Sequence, residues 1–91
     1  MVRVRIIISG FVQGVGFRYF IKEKADQLRL SGWVRNTPDG TVEAVIEGDE
    51  DKIDDVITAC KEGPPPANVK QVNVEKSGAR GDLKEFTISY Y

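Results

Sequence analysis

The chain has no histidine, a single cysteine, one tryptophan and one methionine among 91 residues. Each shortage removes a class of chemistry. Without histidine there is no Ser-His-Asp or Cys-His pair, and neither zinc fingers nor histidine-ligated catalytic metal sites are available. Cys60 alone forms no internal disulfide, and its place on an apolar helical face reads as a small buried hydrophobe in a reducing, cytoplasmic setting. The apolar stretch Ile6-Ile7-Ile8, although preceded by Arg3 and Arg5, falls short of the roughly 7 residues of a signal-peptide core, so neither a leader nor a membrane span is expected. Neither sign of charge dominates: 13 Lys and Arg face 14 Asp and Glu, a net charge of −1. That balance leaves no electrostatic footprint for nucleic acid. Pro64-Pro65-Pro66 is too short for an interdomain linker. A chain of this length buries roughly 64% of its unfolded surface, enough for one core, so residues 1–91 read as one domain.

What is present is period. Over residues 2–9, Val2, Val4, Ile6 and Ile8 alternate with Arg3, Arg5, Ile7 and Ser9, the pattern of a half-buried strand. After a glycine-broken segment, Phe17, Ile21, Ala25 and Leu28 recur at helical spacing. Residues 33–37 form a second strand, Pro38-Asp39-Gly40 a turn, and Val42, Ala44 and Ile46 the buried face of a third strand in a hairpin. Asp49-Glu50-Asp51 supplies a capping side chain and first-turn acidity to a second helix, whose apolar face is Ile53, Val56, Ile57 and Cys60. Gly63 and the prolines end that helix. Residues 69–76 have strand character, 78–82 are turn-rich, and Phe86, Ile88 and Tyr90 alternate in a last strand. Trp33 and Phe17 read as packing aromatics. The order is βαββαβ plus a short C-terminal strand, which fits an α+β, ferredoxin-like sandwich: an antiparallel sheet with two helices on one face.

The segment Gly10-Phe11-Val12-Gln13-Gly14-Val15-Gly16-Phe17-Arg18 joins a strand to a helix start, where unpaired N–H groups and the helix dipole both favour an anion. Glycines there let several N–H groups converge on one phosphate-sized target. No Gly-Lys-Ser/Thr follows, so this is not a Walker A loop, and the third glycine of a dinucleotide fingerprint is missing. Arg18 adds a fork of donors suited to a phosphoryl group, although a solvated first-turn arginine is the plainer account. Asn36 ends a strand before a turn, where an amide commonly bonds its own backbone. The acidic clusters at 49–51 and 54–55 read as helix-start charge and a solvated face, since no EF-hand spacing accompanies them.

Two blocks, Gly10-x-Val12-Gln13-Gly14-Val15-x-Phe17-Arg18 and Gly32-Trp33-Val34-Arg35-Asn36-x-x-Asp39-Gly40-x-Val42-Glu43, resemble acylphosphatase, and Gly63-Pro64-Pro65-x-Ala67-x-Val69 extends the similarity. The resemblance implies a ferredoxin-like fold and metal-independent hydrolysis of the carboxyl–phosphate bond of acyl phosphates. It implies that Arg18 and the backbone N–H groups of Gln13, Gly14, Val15, Gly16 and Phe17 bind the phosphoryl group, and that Asn36 holds the attacking water. Thr37, the next residue, stands ready to orient that amide. No cofactor, metal, nucleic acid or membrane is implied. The partners are a small acyl phosphate substrate and inorganic phosphate or another anion as product or inhibitor, acting on a cytoplasmic monomer. Such chemistry suits a chain without histidine: the carboxylate leaves unaided, and a phosphate oxygen of the substrate takes the water's proton.

Two positions depart from the family pattern. Arg29 stands where a glycine is usual, and Ser89 replaces the arginine common before the C-terminal tyrosine. Two other readings share the element order. An RRM would need a basic-Gly-aromatic third strand, and residues 41–47 are acidic without an aromatic. A module of a larger carbamoyl-transfer protein is the other; Met1 directly before the first strand, and an end at the last, favour a small complete protein.

Overall fold

The alternation at the N-terminus becomes β1, Val2–Phe11, followed by α1, Phe17–Gln27, and β2, Ser31–Asn36, in a computed structural model that describes residues 1–90. The chain continues through β3, Val42–Gly48, α2, Glu50–Glu62, β4, Asn68–Gly78, and β5, Phe86–Ile88. One five-stranded sheet has the order β4-β1-β3-β2-β5. The two periods meet in one core: Val4, Ile6 and Ile8 of β1 and Ala44 and Ile46 of β3 lie under Phe17, Ile21 and Ala25 of α1 and Ile53, Val56 and Cys60 of α2. Both helices therefore cover the same face, as their apolar stripes require. Tyr91 lies outside the described residues, and Tyr90, expected in the last strand, lies beyond the end of β5 and is exposed.

The four long strands pair antiparallel, and β5 adds to β2 in parallel. Connectivity explains the exception. β4 ends beside the start of β1, with Gly78 opposite Val2. Residues 79–85 then cross to the far edge, and the chain turns back in the direction β2 already runs, with Phe86 opposite Gly32. Two local expectations are corrected. Trp33 is half-exposed on the helix-free face of the sheet, because Val34 takes the core position and successive strand residues point to opposite faces. Asp49 precedes α2 without a side-chain cap; its carboxylate lies 3.9 Å from Lys52 Nζ, while its backbone carbonyl accepts the Ile53 N–H.

Candidate active site

Residues 12–16 are held at both ends by the core, since Val12 and Phe17 are 1% and 2% exposed. At the upstream end the β1–β4 register shifts between Ser9 and Gly10, leaving Lys70 of β4 as the extra residue, and β1 continues to Phe11 opposite Asn68. Only glycine fits there, because a Cβ on residue 10 would stand 2.2 Å from the Asn68 carbonyl oxygen. Gly14 and Gly16 have φ of 75° and 81°, and nothing lies within 4 Å of where their Cβ atoms would be. Their task is conformational: left-handed residues alternating along a short loop turn its N–H groups to one side. Gly16 is also the N-cap of α1, with no side chain to offer. The first helical bond runs from the Phe20 N–H to the Gly16 carbonyl at 3.0 Å. Phe17, Arg18 and Tyr19 are thereby left with N–H groups that have no acceptor within the helix.

The first turn of α1 carries no acidic residue, and among the described residues no carboxylate forms an ion pair with Arg18. Its guanidinium lies 5.2 Å from the ring centroid of Tyr90. The positive charge is thus held by an aromatic face while its N–H donors stay available to an anion. Phe17 contributes only backbone, because its ring is buried and packs edge-on against Phe20 at 5.8 Å.

Asn36 is the last residue of β2, opposite Val42, which in turn stands opposite Ile8 near the end of β1. The residue therefore lies at the end of the sheet where β1 gives way to the glycine loop. A side chain joins the two segments directly: Gln13 Nε2 donates to the Thr37 carbonyl at 2.7 Å and to the Thr41 carbonyl at 2.9 Å. Thr37 is bound into the turn, its hydroxyl donating to the Asp39 carboxylate and sharing a 2.7 Å hydrogen bond with the Thr41 hydroxyl. No Thr37 hydroxyl bond goes to Asn36, so its support for that amide passes through the shape of the turn. The Thr37 hydroxyl, then the hydroxyl and N–H of Thr41, hold the Asp39 carboxyl below its ordinary range. Asp39 was legible only as a turn residue and Thr41 only as the start of the third strand, and the side-chain bridge from Gln13 had no signal in the sequence.

Several other charged groups pair on the opposite face of the sheet. Glu43 and Glu47 alternate with core residues of β3 and so face the helix-free side, where Arg5 and Arg35 donate to Glu43 and Arg3 to Glu47. Burial pushes the Glu43 carboxyl up, and the Arg35 and Arg5 hydrogen bonds more than offset this and hold it low. This is the face on which an RRM stacks bases, and here β3 presents buried carboxylates. Cys60 is buried, which pushes its thiol up to about 12 and leaves it protonated. Among the described residues no three acidic or cysteine side chains cluster as metal ligands, and no helix is long and apolar enough to cross a membrane.

Known proteins resemble this chain along nearly its full length. The acylphosphatase family model matches residues 4–88. An acylphosphatase of Rubrobacter xylanophilus is 50% identical over 86 residues, covering 94% of this chain and 78% of that protein. One from Aeropyrum pernix is 48% identical over 91 residues, covering 99% and 90%. The crystal structure of acylphosphatase from Bacillus subtilis superposes with a TM-score of 0.95 at 42% identity, covering 99% of this chain and all of that one. A full-length HypF in a phosphate- and nucleotide-bound form contains a similar unit, with a TM-score of 0.83 at 33% identity over 98% of this chain but 12% of that one.

Proposed function

Because this chain belongs to the acylphosphatase family and is an enzyme of that activity, hydrolysing small acyl phosphates, we propose that Arg18 and Asn36 carry its catalysis. The phosphoryl group sits in the loop formed by Gln13, Gly14, Val15, Gly16 and Phe17, against the N-terminus of α1, with the Arg18 fork on two of its oxygens. Asn36 holds a water in line with the bond to be broken. Water attacks phosphorus, the bond from phosphorus to the carboxyl oxygen breaks, and its electron pair leaves as the carboxylate. The water's proton goes to a phosphate oxygen. Positioning and fixed charge are sufficient, because the leaving group needs no acid and the transition state needs donors aimed at its developing charge. No metal or cofactor is required in this scheme, and Thr37 keeps the turn behind Asn36 in shape.

One observation carries the assignment: an arginine with no carboxylate ion pair among the described residues, over the Tyr90 ring, at a helix N-terminus opened by two left-handed glycines. The test is phosphate release from acetyl or benzoyl phosphate with a chelator present. Arg18→Gln and Asn36→Ala are each expected to lower kcat/KM by about 100- to 1000-fold, the usual effect of losing one donor to developing charge. Arg18→Lys is expected to be severe too, since an ammonium cannot reproduce the fork. Full activity in Arg18→Gln or Asn36→Ala overturns the roles. We further propose that residues 1–91 act as one domain and as a cytoplasmic monomer without nucleic-acid partners. The shared core of both helices and the ion-paired open face of the sheet support this, and sedimentation of the pure protein tests the monomer.

A further inference from the structure

The phosphate loop and the Asn36 strand end reach the same place by separate routes: one follows β1, the other ends β2. They are linked across 24 and 28 residues of sequence by one side chain, the Gln13 amide, whose nitrogen donates to the carbonyls of Thr37 and Thr41 at 2.7 and 2.9 Å. Both acceptors are carbonyl oxygens, so the amide has one orientation that works, nitrogen toward the hairpin. The hairpin end is itself closed. The Thr37 N–H donates to the Thr41 carbonyl at 2.9 Å, the Gly40 N–H to the Thr37 carbonyl at 3.2 Å, and Asp39 accepts from Thr37 and from Thr41. Gln13 is therefore attached to a small rigid unit, and Thr37, whose carbonyl it holds, is covalently next to Asn36.

We propose that the Gln13 side chain is a positioning residue that sets the distance between the phosphoryl group in the loop and the water on Asn36. This rests on the roles assigned above to the loop, Arg18 and Asn36. The backbone N–H of residue 13 belongs to the loop; its side chain works in the opposite direction, on the hairpin. The loop keeps its own anchors in Val12 and Phe17, and the hairpin keeps its own hydrogen bonds. Loss of the amide consequently leaves each half formed and frees only their separation. Phosphate binding, which uses one half, is spared, while attack by water, which needs both, is impaired.

The experiment compares Gln13→Met, similar in length without a donor, and Gln13→Asn, whose amide is one methylene too short, with the unaltered protein. Three readouts are taken: kcat with benzoyl phosphate, the Kd of inorganic phosphate by calorimetry, and the kcat effect of the same changes in an Asn36→Ala background. Both variants are expected to lower kcat about 10- to 100-fold, the range for a displacement of about 1 Å between reacting groups. The phosphate Kd is expected to stay within about 3-fold, and the kcat effect is expected to shrink several-fold or vanish when Asn36 is alanine, because coupled groups are non-additive. The idea is overturned if kcat is unchanged, if phosphate affinity falls as much as kcat, or if the loss is the same without the Asn36 amide. The roles beneath it fail differently: there, Asn36→Ala or Arg18→Gln alone retains full activity.

Discussion

At the scale of single residues, the site is made by what is left unpaired and the remainder by what is paired. Among the described residues Arg18 has an aromatic face for support and no carboxylate ion pair, whereas Arg3, Arg5 and Arg35 each donate to a glutamate. Arg29, one of the two departures from the family pattern, is the non-glycine residue with a left-handed backbone among the described residues, at φ 56°. It closes α1 in a Schellman arrangement, with the Arg29 N–H on the Asp26 carbonyl at 3.1 Å and the Leu30 N–H on the Ala25 carbonyl at 2.9 Å. Arg29→Gly should relieve about 1–2 kcal/mol of left-handed strain and return part of it as unfolded-state entropy, for a net gain of about 0.5–1 kcal/mol. Thermal unfolding should show a Tm higher by a few degrees with kcat unchanged. Arg18 and Asn36, the residues proposed above for catalysis, were reached through the family resemblance of two short blocks, because residue type alone reads equally as a solvated first-turn arginine and an amide bonding its own backbone. Trp33 was misread for a reason at this same scale: an aromatic in a strand can face either side, and only register decides which.

At the scale of elements, the end of α2 supports the start of α1. A Cβ on Gly63 would stand 2.9 Å from Phe17 Cε2 and 3.2 Å from Val69 Cγ2, so this glycine lets the two helices and β4 meet. Gly63→Ala should cost about 1–3 kcal/mol through overpacking, with strain at φ 76° adding to it. Phe17 is the first residue of α1 and its N–H belongs to the proposed cradle, so phosphate affinity should fall along with stability. Denaturant melts and phosphate inhibition of the same variant check both. The crossover 79–85 is tied to the sheet at both ends, the Glu85 carbonyl accepting the Gly32 N–H at 3.0 Å. The Gly81 N–H donates to Glu47 Oε1 at 2.7 Å, while the Arg80 N–H and Arg3 Nε both donate to Oε2, at 3.1 and 2.8 Å. Arg3 also pairs with Asp82, so the crossover is fastened to β1 and β3 together.

At the scale of the whole molecule, this fastening makes stability depend on acidity. The Arg3 hydrogen bond, then the Arg80 and Gly81 N–H groups, pull the Glu47 carboxyl down to about 2. In the unfolded chain it titrates near 4.3. A carboxyl lowered by folding contributes its stability above the unfolded value, and that contribution is lost as pH falls from about 4.3 towards 2. Urea midpoints measured between about pH 6 and pH 2 should therefore fall on the acid side. Glu47→Gln should be less stable at neutral pH and show a shallower acid dependence. An equally steep acid limb in Glu47→Gln would remove Glu47 as its cause.

The sequence by itself determined the order of elements, the apolar faces that both helices turn to the sheet, the break at the glycine loop and the residue types of the candidate site. The elements, faces and break follow from spacings of a few residues, through the periods of strand and helix and the conformational freedom of glycine, and the candidate site residues from the resemblance of two short blocks. Tertiary structure decided what joins distant positions: Gln13 to the hairpin, Arg5 to Glu43 across 38 residues, Arg3 to Asp82 across 79, and the parallel run of β5 beside β2. Those partners are set by strand order and register. Register is fixed only when the buried faces of several elements close on one another, so no local period in the chain could encode it.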